Sequence, residues 1–130
     1  MLKTIFISAL VVTIGSLTAA QATGAGMQGA IPYESAAAAL EDLRAKKDVV
    51  FSKQGDWLIA RDTDGTNWSF TPANHPAHPS VARRTLVEQN GRFYVETRLM
   101  CQAEWSACNK LHQDYLALDR RMIEAMHTGK

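Results

Sequence analysis

Cys101 and Cys108 are the only two cysteines in the chain, and they bracket a change of periodicity that constrains everything around them. Before Cys101, Phe93, Val95, Thr97 and Leu99 fall on one side of an extended chain and Tyr94, Glu96 and Arg98 on the other, the alternation of a half-buried strand. After Cys108, Leu111, Tyr115, Leu118, Met122 and Met126 recur every three or four residues, one face of an amphipathic helix. Seven residues of continuous helix rise about 10.5 Å, whereas bridged cysteines have Cα atoms about 4.4 to 6.8 Å apart. A bridge therefore requires the chain to turn, with Cys101 closing the strand and Cys108 in the first turns of the helix. The short loop makes such a bridge worth about 2 to 3 kcal/mol, and its larger effect is to hold the helix against a sheet.

Upstream, Ser35 is placed to cap a helix through Ala36–Ala39, Leu40 and Leu43 to Lys47, with a thin stripe made mostly of alanine. From Asp48 the pattern changes to strands: Val49–Lys53, Trp57–Arg61 and Asn67–Thr71 are rich in β-branched and aromatic residues. Gln54-Gly55-Asp56 and Thr63-Asp64-Gly65-Thr66 separate them, and Asp-Gly marks a type I′ hairpin, which needs positive φ at both central residues. A long turn from Pro72 to Pro79 leads to a strand from Val81 to Gln89, then Asn90-Gly91 as a second hairpin signal, then the strand that ends at Cys101. The expectation is an α+β domain over residues 33–130. It has about five antiparallel strands in a meander, helices packed on one face, a short N-terminal and a longer C-terminal one, and one disulfide.

The first residues read as an export signal. Lys3 precedes an apolar run from Ile5 to Leu17, and Ala20-Gln21-Ala22 is a small-x-small cleavage site. Residues 1–22 are expected to be removed, leaving a flexible leader over 23–32 rich in Gly and Ala, and a periplasmic location follows. The apolar run is short for a bilayer span, so no membrane span is expected in the mature chain. Removing 22 of 130 residues leaves 108, enough for one core, and takes one of 14 basic residues against 13 acidic ones. That neutral balance gives no electrostatic footprint for nucleic acid.

Two segments carry candidate function. Gln102-Ala103-Glu104-Trp105-Ser106-Ala107 puts Trp105 and Glu104 in a cross-linked loop. A pre-ordered aromatic is how binding hot spots are built, although packing beneath the helix is the more ordinary fate of Trp105. The gap of six argues against a redox dithiol, whose cysteines usually stand two apart. Thr71-Pro72-Ala73-Asn74-His75-Pro76-Ala77-His78-Pro79 is stiffened by three prolines, and places Asn74, His75 and His78 on a rigid turn. His75 and His78 supply half of a tetrahedral zinc or copper site, and Glu88 or His112 would have to complete it. The alternative is imidazoles that meet solvent or backbone. Arg83 and Arg84 point to opposite faces of their strand, so one needs a carboxylate partner such as Glu96. No nucleophile elbow or glycine-rich phosphate loop is present, and no catalytic residues are assigned.

Trp68-Ser69-Phe70-Thr71-Pro72, His75-Pro76-Ala77-His78-Pro79-Ser80-Val81 with Arg83-Arg84, and the Cys101…Cys108 pair together resemble a group of small exported proteobacterial proteins of unestablished activity. That resemblance implies a periplasmic location and adds no catalytic residue. By arrangement alone, the cysteine-bracketed loop is similar to one that some periplasmic lysozyme inhibitors insert into an enzyme's active site. The expectation is a small periplasmic binding or inhibitory protein without enzymatic activity. It would be lysozyme-inhibitor-like or toxin-immunity-like and would meet a protein partner in the cell envelope through Trp105, Glu104, His75, His78 and Asn74. Two alternatives are a metal-binding protein using His75 and His78, and a structural envelope-maintenance factor.

Overall fold

The computed structural model describes residues 31–129. The expected signal peptide and all but the last two residues of the expected leader lie outside the described residues. Helix α1 (Ala36–Ala45) is followed by strands β1 (Val50–Gln54), β2 (Trp57–Arg61), β3 (Asn67–Phe70), β4 (Ser80–Gln89) and β5 (Arg92–Cys101), then helix α2 (Trp105–Thr128). The strands form one antiparallel sheet in sequence order, the meander read from the sequence. Among the described residues no helix is long and apolar enough to cross a membrane.

Local chemistry accounts for the turns and ends. Asn90 and Gly91 both have positive φ, 53° and 76°, the demand of a two-residue type I′ hairpin joining Gln89 to Arg92. Asp64-Gly65 behaves differently from expectation, because only Gly65 is left-handed, with φ 83°. Asp64 uses its carboxylate to accept the Thr66 amide at 2.8 Å, and Asp62 N donates to Thr66 O at 2.9 Å, so the connection is a longer Asx-type turn. Ser35 caps α1 as its position suggests, its hydroxyl accepting from Ala38 N at 3.0 Å.

The helices do not share a face of the sheet, which corrects the expectation that both pack on one side. Val81 and Ala82 are adjacent on β4 and so point to opposite faces. Val81 joins Ala60, Trp68, Phe70 and the α1 residues Ala36, Ala39 and Leu43 in one core. Ala82 joins Leu99, Ala77, both cysteines and the α2 residues Leu111 and Tyr115 in another. The molecule is three layers, α1 over one face and α2 over the other. The short alanine stripe explains the division: Ala36 and Ala39 let α1 lie close to the aromatic side of the sheet, where it fills little width.

The long helix also outruns its support. Leu111 and Tyr115 are buried, but Met122 and Met126, on the same stripe, are 40% and 43% exposed. Leu86 and Phe93, on the same face of the β4–β5 hairpin as Ala82 and Leu99, are likewise exposed.

Candidate functional site

The proline-rich turn is ordered by its own hydrogen bonds. His75 N donates to Pro72 O and His78 N to His75 O, both at 3.0 Å, making two successive tight turns. Thr71 closes the base, its amide donating to Ser80 O at 3.1 Å and its hydroxyl accepting from Ser80 N at 2.9 Å. The Ser80 hydroxyl donates to Ala77 O. Ala77 is fully buried against the disulfide, so the turn is anchored at its middle as well as its ends.

This turn and the cysteine-bracketed segment form one end of the molecule. Gln102 N donates to Pro79 O at 3.0 Å, and the Gln102 side-chain oxygen accepts from Ala36 N at 3.0 Å, which brings in the start of α1. Cys101 and Cys108 are bridged, with Cα atoms 5.7 Å apart, Cys101 ending β5 and Cys108 in the first turn of α2. Helix begins earlier than a six-residue loop would allow. Trp105 is already its first residue, the free loop is Gln102–Glu104, and the Cys108 amide donates to Glu104 O at 3.0 Å. Trp105 does not pack beneath the helix. Its surface is 62% exposed, and of the other residues expected to meet a partner Glu104, Asn74 and His78 are exposed while His75 is half-buried.

Both histidines meet the backbone. His75 Nδ1 accepts from Ala77 N at 3.0 Å, and His78 Nδ1 donates to Thr71 O at 3.0 Å. Each keeps only its Nε2 for another partner. Among the described residues no three His, Cys, Asp or Glu side chains gather as a metal site requires, so neither Glu88 nor His112 joins the pair.

The carboxylate for the inward arginine is not Glu96. Arg84 points to the α2 face and pairs with Asp119, Nη2 to Oδ1 at 2.5 Å and Nε to the same oxygen at 3.1 Å, while the Thr97 hydroxyl donates to Oδ2 at 2.5 Å. Glu96 projects to the opposite face and holds its neighbour Arg98 at 2.6 Å. Arg83, on that other face, lies over Trp68 with its guanidinium carbon 5.9 Å from the ring centroid. Asp119 is 35 residues from Arg84 in the chain. The available signal was an aspartate between Leu118 and Met122, next to the apolar stripe of a helix, where a charge has to be paired.

A cleft of about 350 Å³ lies on the α2 face, over the part of the sheet that α2 leaves open. Its floor is Trp57 and Ile59 of β2, its wall is Leu111, Tyr115 and Leu118 of α2, and His75 closes one rim. The His75 and Tyr115 rings meet Trp57 edge-on, with centroids 5.2 and 6.4 Å away. Burial pushes the Tyr115 hydroxyl above its ordinary pKa, against the pull of the Ser69 hydroxyl and the Arg84 charge. No side chain that could serve as a nucleophile is hydrogen-bonded to His75 among the described residues, so the cleft presents binding groups and no paired base. Sequence reading found only His75 of these lining residues, because the cleft exists only where β2 and α2 meet.

Comparison with protein-family models, with curated proteins and with solved structures finds no match to this chain.

Proposed function

We propose that the protein is a small exported binding or inhibitory protein of the periplasm. It engages a protein partner in the cell envelope, in the manner of lysozyme inhibitors or immunity proteins against cell-wall-degrading toxins. The observation that carries this reading is Trp105: a tryptophan with 62% of its surface exposed, on the first turn of a helix that a disulfide ties to the end of the sheet. An aromatic held this way loses little conformational entropy on binding, which is the economy that hot-spot residues exploit. The adjoining turn adds Asn74 and His78 on a backbone braced by the His75 N–Pro72 O and His78 N–His75 O bonds, so it too arrives ordered.

The test begins with the untagged protein recovered from its own periplasm and analysed by native mass spectrometry, which reports the cleavage site, the disulfide and any retained partner. Purified oxidised protein is then titrated against that partner, and against lysozymes in a peptidoglycan-hydrolysis assay. Trp105→Ala is expected to weaken the complex by about thirtyfold, the 2 kcal/mol typical of a hot-spot truncation. Retention of full affinity by both Trp105→Ala and the double variant His75→Ala/His78→Ala would show that this surface is not the one used.

A further inference from the structure

We infer that the cleft between β2 and α2 is a second binding site, for a small carboxylic acid carrying a flat apolar body. Because α1 covers the other face and α2 lies chiefly along β5, Trp57 and Ile59 are only partly covered, and the space left open is about 350 Å³, within the range of small-molecule sites. Trp57 is half-buried and held by edge contacts from His75 and Tyr115, so its orientation is set before any ligand arrives. Together with Ile59 and Leu118 it offers a flat apolar bed.

The charges around that bed favour an anion. Arg84 reaches the cleft with its side chain only 13% exposed; Nε and Nη2 are spent on Asp119, and among the described residues Nη1 meets no acceptor. Arg121, one turn beyond Leu118 on α2, lines the same cleft and makes no ion pair among the described residues. Asp114, the carboxylate lining the cleft among the described residues, is already held by Lys110 Nζ at 2.8 Å. Arg121 is therefore the lining guanidinium without a counter-charge among the described residues, and Arg84, whose charge Asp119 balances, adds only its unspent Nη1. A guanidinium binds a carboxylate through parallel N–H donors, and at the exposed Arg121 that contact has the modest strength of a surface charge pair. A cationic ligand is disfavoured by the same arrangement, since Arg84 already lies over the Tyr115 ring with its carbon 5.6 Å from the centroid.

The probe pair is indole-3-acetate and its neutral amide, titrated into the isotopically labelled oxidised chain at low salt and followed by amide and indole N–H chemical shifts. The acid is expected to saturate with shifts at Trp57, Tyr115 and Leu118 and to bind at least about fivefold more tightly than the amide, the scale of one exposed charge contact. Arg121→Gln, an exposed change that leaves the Arg84–Asp119 pair intact, is expected to remove that preference while the spectrum stays folded. Trp105→Ala is expected to leave acid binding unchanged, which separates this site from the partner surface proposed above. Equal binding of acid and amide, an undiminished preference in Arg121→Gln, or no saturable shift up to millimolar probe would each overturn the inference.

Discussion

Single side chains in this protein are placed by what must not be left unpaired. Asp119 sits 8% exposed on the sheet-facing side of α2, and it is tolerated there because Arg84 and Thr97 both donate to it. Asp119→Ala strands the Arg84 guanidinium and is expected to cost about 3 kcal/mol, the lower end for breaking a buried pair, read as a lowered urea midpoint. Arg84→Met in the same chain is expected to recover part of that loss, because it removes the orphaned charge. Tyr115 makes a pH-dependent contribution. Burial raises its hydroxyl above the ordinary value, so the folded state keeps the proton after the unfolded chain has lost it. Its stabilising effect is complete below about pH 10, the unfolded value, and is lost as pH rises beyond that. Tyr115→Phe is therefore expected to flatten the alkaline decline in stability above about pH 10, measured as urea midpoint against pH.

At the scale of elements, the disulfide fastens the end of β5 to the start of α2, and the helix has few other ways to define its beginning. Glu104 stands at the cap position without a side-chain capping bond, so the orphaned amides of the first turn have no carboxylate or hydroxyl partner there. Replacing both cysteines by alanine is expected to cost about 2 to 3 kcal/mol. Amide exchange should quicken first in Trp105–Leu111 and in the Thr71–Pro79 turn, because buried Ala77 packs on the same bridge. Exchange that quickened uniformly across the sheet would mean that the bridge acts on the unfolded chain alone. The far end of α2 follows a different rule. Its apolar stripe continues past the edge of what the sheet can bury, so Met122 and Met126 meet solvent despite perfect helical spacing.

For the molecule as a whole, placing the helices on opposite faces creates two cores that share only the sheet backbone. Leu43 is fully buried in one and Leu111 is 4% exposed in the other, with no common side-chain neighbours in the two clusters. Leu43→Met and Leu111→Met, each expected to cost less than about 1.5 kcal/mol, should therefore add to within about 0.5 kcal/mol in the double variant. A larger coupling would show that the sheet transmits repacking from one face to the other. The layering also makes the two faces unlike. The α1 face is closed by aromatic packing, with Tyr33 edge-on to Trp68 at 5.6 Å and tied by its hydroxyl to Asp42 at 2.5 Å. The α2 face carries the exposed Trp105, the stiff turn and the open cleft.

What the sequence determined by itself was local. Alternation and helical spacing are properties of neighbouring residues, so five strands, two helices, the Ser35 cap and the Asn90-Gly91 hairpin were legible from composition and order. The bridge was legible too, since only a strand-to-helix turn brings cysteines seven apart within reach. The tertiary structure alone decided which face each helix covers, because a strand buried on both sides has apolar residues at either parity and its pattern does not say which helix they meet. It decided that Arg84 meets Asp119 rather than Glu96, a choice between carboxylates that only the sheet's parity and the docking of α2 distinguish. It decided that Trp105 faces water, because helix geometry beginning at that residue turned it away from the core. The cleft belongs to this second class entirely: its walls come from β2, β4, α2 and the proline turn, and no stretch of chain contains them together.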